Sequence, residues 1–317
     1  MNNSSTRSKV CPNSPKAWLL AARPKTISGA CVPVLVATAL AWSDGKSEWI
    51  AALLCFIFAA LMQVAANFIN DLYDFLKGTD GSDRLGPERA CAQGWISPRA
   101  MRWGIAVVIS LACGVGLSLL FGHVGAFHVE GAIWWNRVWA MVFMGAACVL
   151  FAFLYTTVLS YWGMGDVLVL VFFGFVPVCG TYFVQAGTLS WEVWLCGLTV
   201  GLVIDLLLVI NNFRDRDTDR ACGKRTLIAL LGERFGSLQY LCVGVSAVLL
   251  GFVWIWQARP WAALLPLGFL LLHWDTWREM MKICRGRALN QILAKTSRNM
   301  LIYGLLLSLG LVLSAWR

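Results

Sequence analysis

Apolar runs close to the ~20 residues needed to cross a hydrocarbon layer recur along the whole chain, separated by short polar connections. Nine can be delimited: Thr26 to Trp42, Trp49 to Asn67, Trp103 to Gly122, Val138 to Leu159, Val167 to Ala186, Trp191 to Ile210, Leu238 to Trp256, Pro260 to Trp274 and Met300 to Trp316. Backbone polar groups in hydrocarbon must be satisfied within their own segment, so each run predicts a helix. The expected fold is all-α: a polytopic membrane protein with nine transmembrane helices in a bundle and helical loops on the cytoplasmic side. The polar stretch Met1 to Lys16 lacks the apolar region and small-residue cleavage site of a secretory signal. It predicts a disordered cytoplasmic tail over 1–13. A single membrane-embedded domain over 14–317 follows, opening with a short interfacial helix begun by Ser14-Pro15.

Composition agrees with the pattern. Of 317 residues, 59% are hydrophobic and 14% charged, against roughly 45–50% and a quarter in ordinary globular chains. A disordered chain is excluded, and a soluble enzyme is disfavoured. The net charge of +9 would suggest nucleic acid in a soluble protein, but its distribution gives another reason. Under the nine-span scheme, 22 of the 26 Lys and Arg fall on the amino-terminal side of the membrane, leaving Lys46, Arg137, Arg259 and Arg317 opposite. Cationic loops stay in the cytoplasm, which predicts an N-in, C-out orientation and no nucleic-acid partner. Trp42, Trp49, Trp191 and Trp256 mark the outer interface in the same scheme. Eleven cysteines show no C-x-x-C spacing and read as small apolar fillers.

The scarce carboxylates carry the chemistry. Seven of eleven Asp residues lie in two short segments: Asp71, Asp74, Asp80 and Asp83 after the second span, and Asp215, Asp217 and Asp219 after the sixth. If each helix continues past the membrane surface, Asn67, Asn70, Asp71 and Asp74 share one face, as do Asn212, Asp215 and Asp219. Gly223-Lys224-Arg225 can then fold back over the second face. Like charges this close call for a cation, and carboxylates with Asn oxygens form a hard set suited to Mg²⁺. Lys and Arg beside such a metal make sense if it holds an anion such as diphosphate.

These residues resemble the UbiA superfamily of intramembrane aromatic prenyltransferases, most of all its menaquinone-pathway branch. The motifs are Asn70-Asp71-x-x-Asp74 with Gly78-x-Asp80, and Asp215-x-x-x-Asp219-x-x-x-Gly223-Lys224-Arg225-Thr226. Supporting pieces are Ala22-Arg23-Pro24-Lys25-Thr26, Gly86-Pro87 with Arg89, Gly163-Met164-Gly165-Asp166 and Asn211-Asn212-Phe213-Arg214. The likeness implies a nine-helix bundle in the bacterial cytoplasmic (inner) membrane, with its active site open to the cytoplasm. It implies transfer of a polyprenyl chain from polyprenyl diphosphate to 1,4-dihydroxy-2-naphthoate, with loss of diphosphate and CO₂, to give demethylmenaquinone. Mg²⁺ would assist ionisation to an allylic cation. Carried over, Asp71, Asp74, Asp215 and Asp219 are the catalytic acids, and together with Asn67 the metal ligands. Asn67, Asn70, Asn212, Lys224 and Arg225 would bind substrate, with Asp80 nearby at a place where the ubiquinone branch expects its acid at position 78.

Other polar residues extend this set. Arg23 and Lys25, at a proline break on the cytoplasmic side, are positive-inside anchors or contacts for substrate anions. Tyr155 and Tyr161 are cation-facing rings or interfacial anchors. Asp166 is either a helix-start anion or a group orienting the acceptor. Asp205, inside the sixth span, reads as a buried hydrogen-bonding acid. Gln63 extends the polar face of the second span. His123 and His128 fall on the outer side and receive no role. Two other readings compete: the same fold with another acceptor, such as 4-hydroxybenzoate, homogentisate, or a haem or chlorophyll precursor, and a secondary transporter. A transporter keeps its ionisable residues near the bilayer midplane, where only Asp205 lies.

Overall fold

The computed structural model describes residues 10–78, 85–121, 131–157 and 163–316. Asp80, Tyr161, His123 and His128 lie outside them. Among the described residues every regular element is helical. A short helix α1 (Pro15–Ala22) is capped by the Ser14 side chain, which accepts from the Ala17 N–H. It ends at Arg23, whose left-handed backbone turns the chain into α2 (Pro24–Ser43). There follow α3 (Trp49–Leu76), α4 (Pro98–Phe121) and α5 (Ala132–Thr157). Next come α6 (Gly165–Val169), a π-wound stretch Leu170–Phe175, and α7 (Val176–Ala186), which together form one rod. The long α8 (Trp191–Ala221) leads to α9 (Leu227–Leu231), α10 (Glu233–Gly251) and α11 (Val253–Trp256). The chain closes with α12 (Pro260–Leu264), α13 (Leu267–Ile283) and α14 (Leu289–Ser314).

Eight helical segments among the described residues are long and apolar enough to cross a membrane. They coincide with eight of the nine expected runs. The ninth, Pro260 to Trp274, is instead divided between α12 and α13 at Leu265-Pro266. Proline has no N–H to continue the ladder and its ring opposes the carbonyl of the turn before it, so the helix breaks there. By length and composition, eight of the nine expected runs are helices able to span, and the ninth is a broken pair. The apolar exterior suits a bilayer: Trp139, Phe143 and Leu150 on α5 are 63%, 79% and 55% exposed, an arrangement that water would not tolerate over so wide a surface.

Helix length positions the site. At 1.5 Å per residue, the 28 residues of α3 and the 31 of α8 extend about 42 and 46 Å, well beyond the ~30 Å of hydrocarbon. Both begin at tryptophan and end in the acidic segments. The overhang therefore carries Asp71 and Asp74 on one helix, and Asn212 to Asp219 on the other.

Two cores hold these ends. The larger surrounds α8, where Val200, Val203, Ile204 and Ile210 meet α2, α7, α10 and α14. α8 and the π-wound stretch cross without intervening side chains, since a Cβ at Gly174 would stand 2.8 Å from the Gly201 Cα. The smaller core joins α1, α3 and α4 to the connection after residue 85, through Ala17, Phe68, Leu72, Ala90, Cys91 and Ile96. Of the tail, Val10 packs against this cluster, and the Asn13 N–H donates to the Trp95 carbonyl at 2.8 Å. At the opposite end of the bundle, Asp44 receives hydrogen bonds from Tyr182 and Arg259. All eleven cysteines are free thiols.

Candidate active site

The end of α3 is fastened on two sides. Asn67, 3% exposed, donates from Nδ2 to the Ala22 carbonyl at 2.8 Å and to Thr26 Oγ1 at 2.9 Å, and its Oδ1 accepts from Gln63 at 3.3 Å. It thereby fixes the proline break at which Arg23 and Lys25 stand. One turn on, Asp71 is 1% exposed, and its two oxygens accept the backbone N–H groups of Ala90 and Cys91, each at 2.8 Å. Arg23 Nη2 lies 4.0 Å from the same carboxylate. Asp74 takes a 2.8 Å hydrogen bond from Arg89 Nη2. Asp71 and Asp74 therefore strap the connection from residue 85 onward across the helix face that carries them. Asn70 is half-buried beside them.

The second acidic segment is arranged differently. Arg214 forks onto Asp215, Nε to Oδ1 at 2.8 Å and Nη2 to Oδ2 at 2.6 Å. Asp219 lies 3.5 Å from Lys224 Nζ through Oδ1, while its Oδ2 is buried without a hydrogen-bond partner. The backbone turns at Gly223, where Lys224 N–H donates to the Asp219 carbonyl at 2.9 Å, and this return brings Lys224 back over the helix end. Arg225 is exposed, but its carbonyl abuts Gly163. A Cβ at Gly163, which sits at φ +73°, would overlap that oxygen. The two glycine motifs are thus in direct contact.

A small cleft opens at this junction, lined by Tyr155, Gly163, Gly165, Asp166, Leu208, Asn212, Lys224 and Thr226. Four expected site residues, Tyr155, Asp166, Asn212 and Lys224, meet in it from four different stretches of chain. Asp166 Oδ1 accepts from Gln239 Nε2 at 2.6 Å. Asp205 is 3% exposed deeper on α8, and its Oδ1 has no hydrogen-bond partner. Lys25 is exposed at the surface, and Asp80 falls outside the described residues.

Among the described residues, no three His, Cys, Asp or Glu side chains converge as a ready metal cage. The donors still suit a hard cation: Asp74, Asp215 and Asp219 present carboxylates to cationic side chains, and Asp219 Oδ2 is an unsatisfied buried acceptor. A carboxylate left so is costly unless a cation completes it. Asn67 and Asp71 differ, since their polar atoms already hold protein groups.

Four residues important to this geometry went unassigned from sequence. Gln239 orients Asp166, Thr226 lines the cleft and caps α9 by accepting from the Ala229 N–H, Leu208 forms a wall, and Asn290 contacts Arg214. Only Thr226 carried a local signal, as a helix cap ahead of an apolar run.

Comparison with known proteins agrees with the geometry. Residues 30–290 match the family described as the UbiA prenyltransferase family. The chain is 34% identical over 306 residues to the 1,4-dihydroxy-2-naphthoate octaprenyltransferase of Escherichia coli (strain K12), covering 95% of this chain and 96% of that protein. Its identity to the protein of the same name from Haemophilus influenzae is 31% over 305 residues, covering 94% and 96%. To UbiA prenyltransferase domain-containing protein 1 of Danio rerio it is 27% identical over 299 residues, covering 94% and 84%. A solved structure concerning digeranylgeranylglyceryl phosphate synthase superposes with a TM-score of 0.59 at 18% identity, covering 94% of this chain and 98% of that one, a likeness of fold.

Proposed function

The chain belongs to the UbiA prenyltransferase family and is an integral membrane prenyltransferase, and from that premise we propose that it transfers a polyprenyl chain from its diphosphate to 1,4-dihydroxy-2-naphthoate. Diphosphate and CO₂ are released, and the product is demethylmenaquinone. The observation that carries this reading is the cleft at the end of α8, where Asn212 and Lys224 meet Asp166 and Tyr155 beside Asp219. Relatives over 30% identical along nearly the whole chain bear the name of that reaction.

The chemistry separates into two ends. Breaking the allylic C–O bond leaves negative charge on diphosphate and positive charge on the prenyl carbon. Lys224, with Arg225 at the cleft edge, supplies cationic donors to the phosphate oxygens, and Asn212 a neutral one. Asp74, Asp215 and Asp219 would hold Mg²⁺, with Asn67 and Asp71 fixing the helix end behind them; when bound, the metal supplies charge that stabilises the leaving diphosphate. Tyr155 offers a π face toward the prenyl carbon. Asp166, held by Gln239, orients the acceptor, and Arg23 attracts its carboxylate. Leu208 and the surrounding helices keep water from the cation, which would otherwise become an alcohol.

The protein lies N-in and C-out in the bacterial inner membrane, with residues 14–317 acting as one domain and the α12–α13 pair as a broken ninth crossing. The excess of Lys and Arg on the amino-terminal side supports that orientation. Purified protein supplied with octaprenyl diphosphate, Mg²⁺ and a panel of aromatic acids is expected to release CO₂ with the naphthoate alone. Prenylation of 4-hydroxybenzoate or homogentisate in its place would reassign the acceptor.

A further inference from the structure

Asn290 lies in the first turn of α14, in a part of the chain with no acidic motif. Its amide is engaged at both ends. Nδ2 donates to the Leu85 carbonyl at 2.8 Å, and Oδ1 accepts from Arg214 Nη1 at 2.8 Å. The other edge of the same guanidinium forks onto Asp215. Leu85 begins the strap that places Arg89 on Asp74 and the Ala90 and Cys91 N–H groups on Asp71. The acidic end of α3 is thus joined through the strap, and then through one residue of α14, to the acidic end of α8.

That link answers a geometric difficulty. Neighbouring residues on a helix point about 100° apart and do not face each other, so a two-pronged Arg214–Asp215 pair forms only if the arginine curls back along its own helix. Arg214 is 6% exposed, leaving water little part in holding it. Asn290 grips the free edge of the guanidinium and fixes its plane, and with it the direction of the Asp215 carboxylate.

We propose that Asn290 is a positioning residue that sets the two acidic helix ends at the separation a prenyl diphosphate requires. The assignment rests on the prenyl-transfer reading above and adds to it a residue that touches neither substrate. Asn290→Leu removes both arms at nearly constant size. Asn290→Asp keeps an acceptor for Arg214, now charged, and sets an oxygen against the Leu85 carbonyl where the amide donated.

The test uses full-length protein in detergent. It compares steady-state kinetics with the affinity for an unreactive prenyl thiodiphosphate in the presence of Mg²⁺, measured by calorimetry. Removing an outer-shell partner typically costs 10–100-fold, so Asn290→Leu should lower kcat by about that factor and weaken thiodiphosphate binding about tenfold. KM for the aromatic acceptor should stay within about twofold. Wild-type kcat and affinity in Asn290→Leu would overturn the proposal, as would equal losses in every parameter together with a lowered Tm. If wild type binds the thiodiphosphate but prenylates no naphthoate, the acceptor assignment fails while the affinity ratio still reports on Asn290. Absence of thiodiphosphate binding in wild type overturns both.

Discussion

Replacing Asp71 with asparagine removes a charge and an acceptor at a place where water cannot enter. Asp71 is 1% exposed, and the residues whose N–H groups it accepts, Ala90 and Cys91, are 2% and 4% exposed. Asparagine retains one carbonyl oxygen and turns its NH₂ toward the second N–H, so a buried donor faces another donor. An unsatisfied buried group costs about 1–3 kcal/mol, and the surviving bond loses the strength that an ionised acceptor gave it. A loss of about 2–3 kcal/mol follows, lowering the apparent Tm by roughly 5–10 °C at about 2–4 °C per kcal/mol for a chain of this size class. Asp215→Asn is the control, since that side chain is 30% exposed and pairs with its own neighbour. Water reaches the Asp215 oxygens, so the cost of this variant should be smaller than that of Asp71→Asn, although Arg214 is buried. Thermal melts followed by tryptophan emission in detergent, with hydrogen exchange over residues 85–97, separate the two variants. Asp71→Asn should speed exchange at Ala90 and Cys91, and Asp215→Asn should leave it unchanged. Equal melting temperatures with protected amides in both variants would refute the assignment of Asp71 as the fastener of the strap.

Asp219→Asn should reduce turnover by at least ~10²-fold, the scale of an electrostatic site deletion, and EDTA should abolish wild-type turnover reversibly with Mg²⁺; a rate unaffected by either would remove Asp219 and the metal from the site. Gly163→Ala places a Cβ against the Arg225 carbonyl at φ +73°, where an L side chain costs about 1–2 kcal/mol in any case. It should raise KM for the prenyl diphosphate by displacing Lys224 while leaving the helical circular dichroism unchanged, and an unaltered KM would show that the glycine contact does not place that lysine.

The helices were legible because apolar runs of spanning length leave the backbone no alternative in lipid, and the acids were legible because carboxylates are scarce in such a chain. Spacing by three and four put Asn67, Asp71 and Asp74 on one face, and α3 continues far enough to carry the two acids past ~30 Å of hydrocarbon. What hydropathy could not register was the break at Pro266, since an interruption of two residues hardly alters the mean over a run. Nor could spacing show what the site residues bind. Asp71 finds its partners 19 and 20 residues on, Asp166 meets Gln239 across 73 residues, and Asn290 reaches Leu85 across 205. Those partners are fixed by which helices pack together, and a single asparagine or glutamine in an amphipathic stretch gives no sign of it.

A structure of the protein with Mg²⁺ and an unreactive prenyl thiodiphosphate tests most directly whether the two acidic helix ends form one diphosphate site. The diphosphate is expected between the ends of α3 and α8, in contact with Lys224 and Asn212, with its prenyl chain passing Tyr155 into the helices. Diphosphate bound at the opposite end of the bundle, near Asp44 and Arg259, or held by one acidic segment without the other, would contradict it.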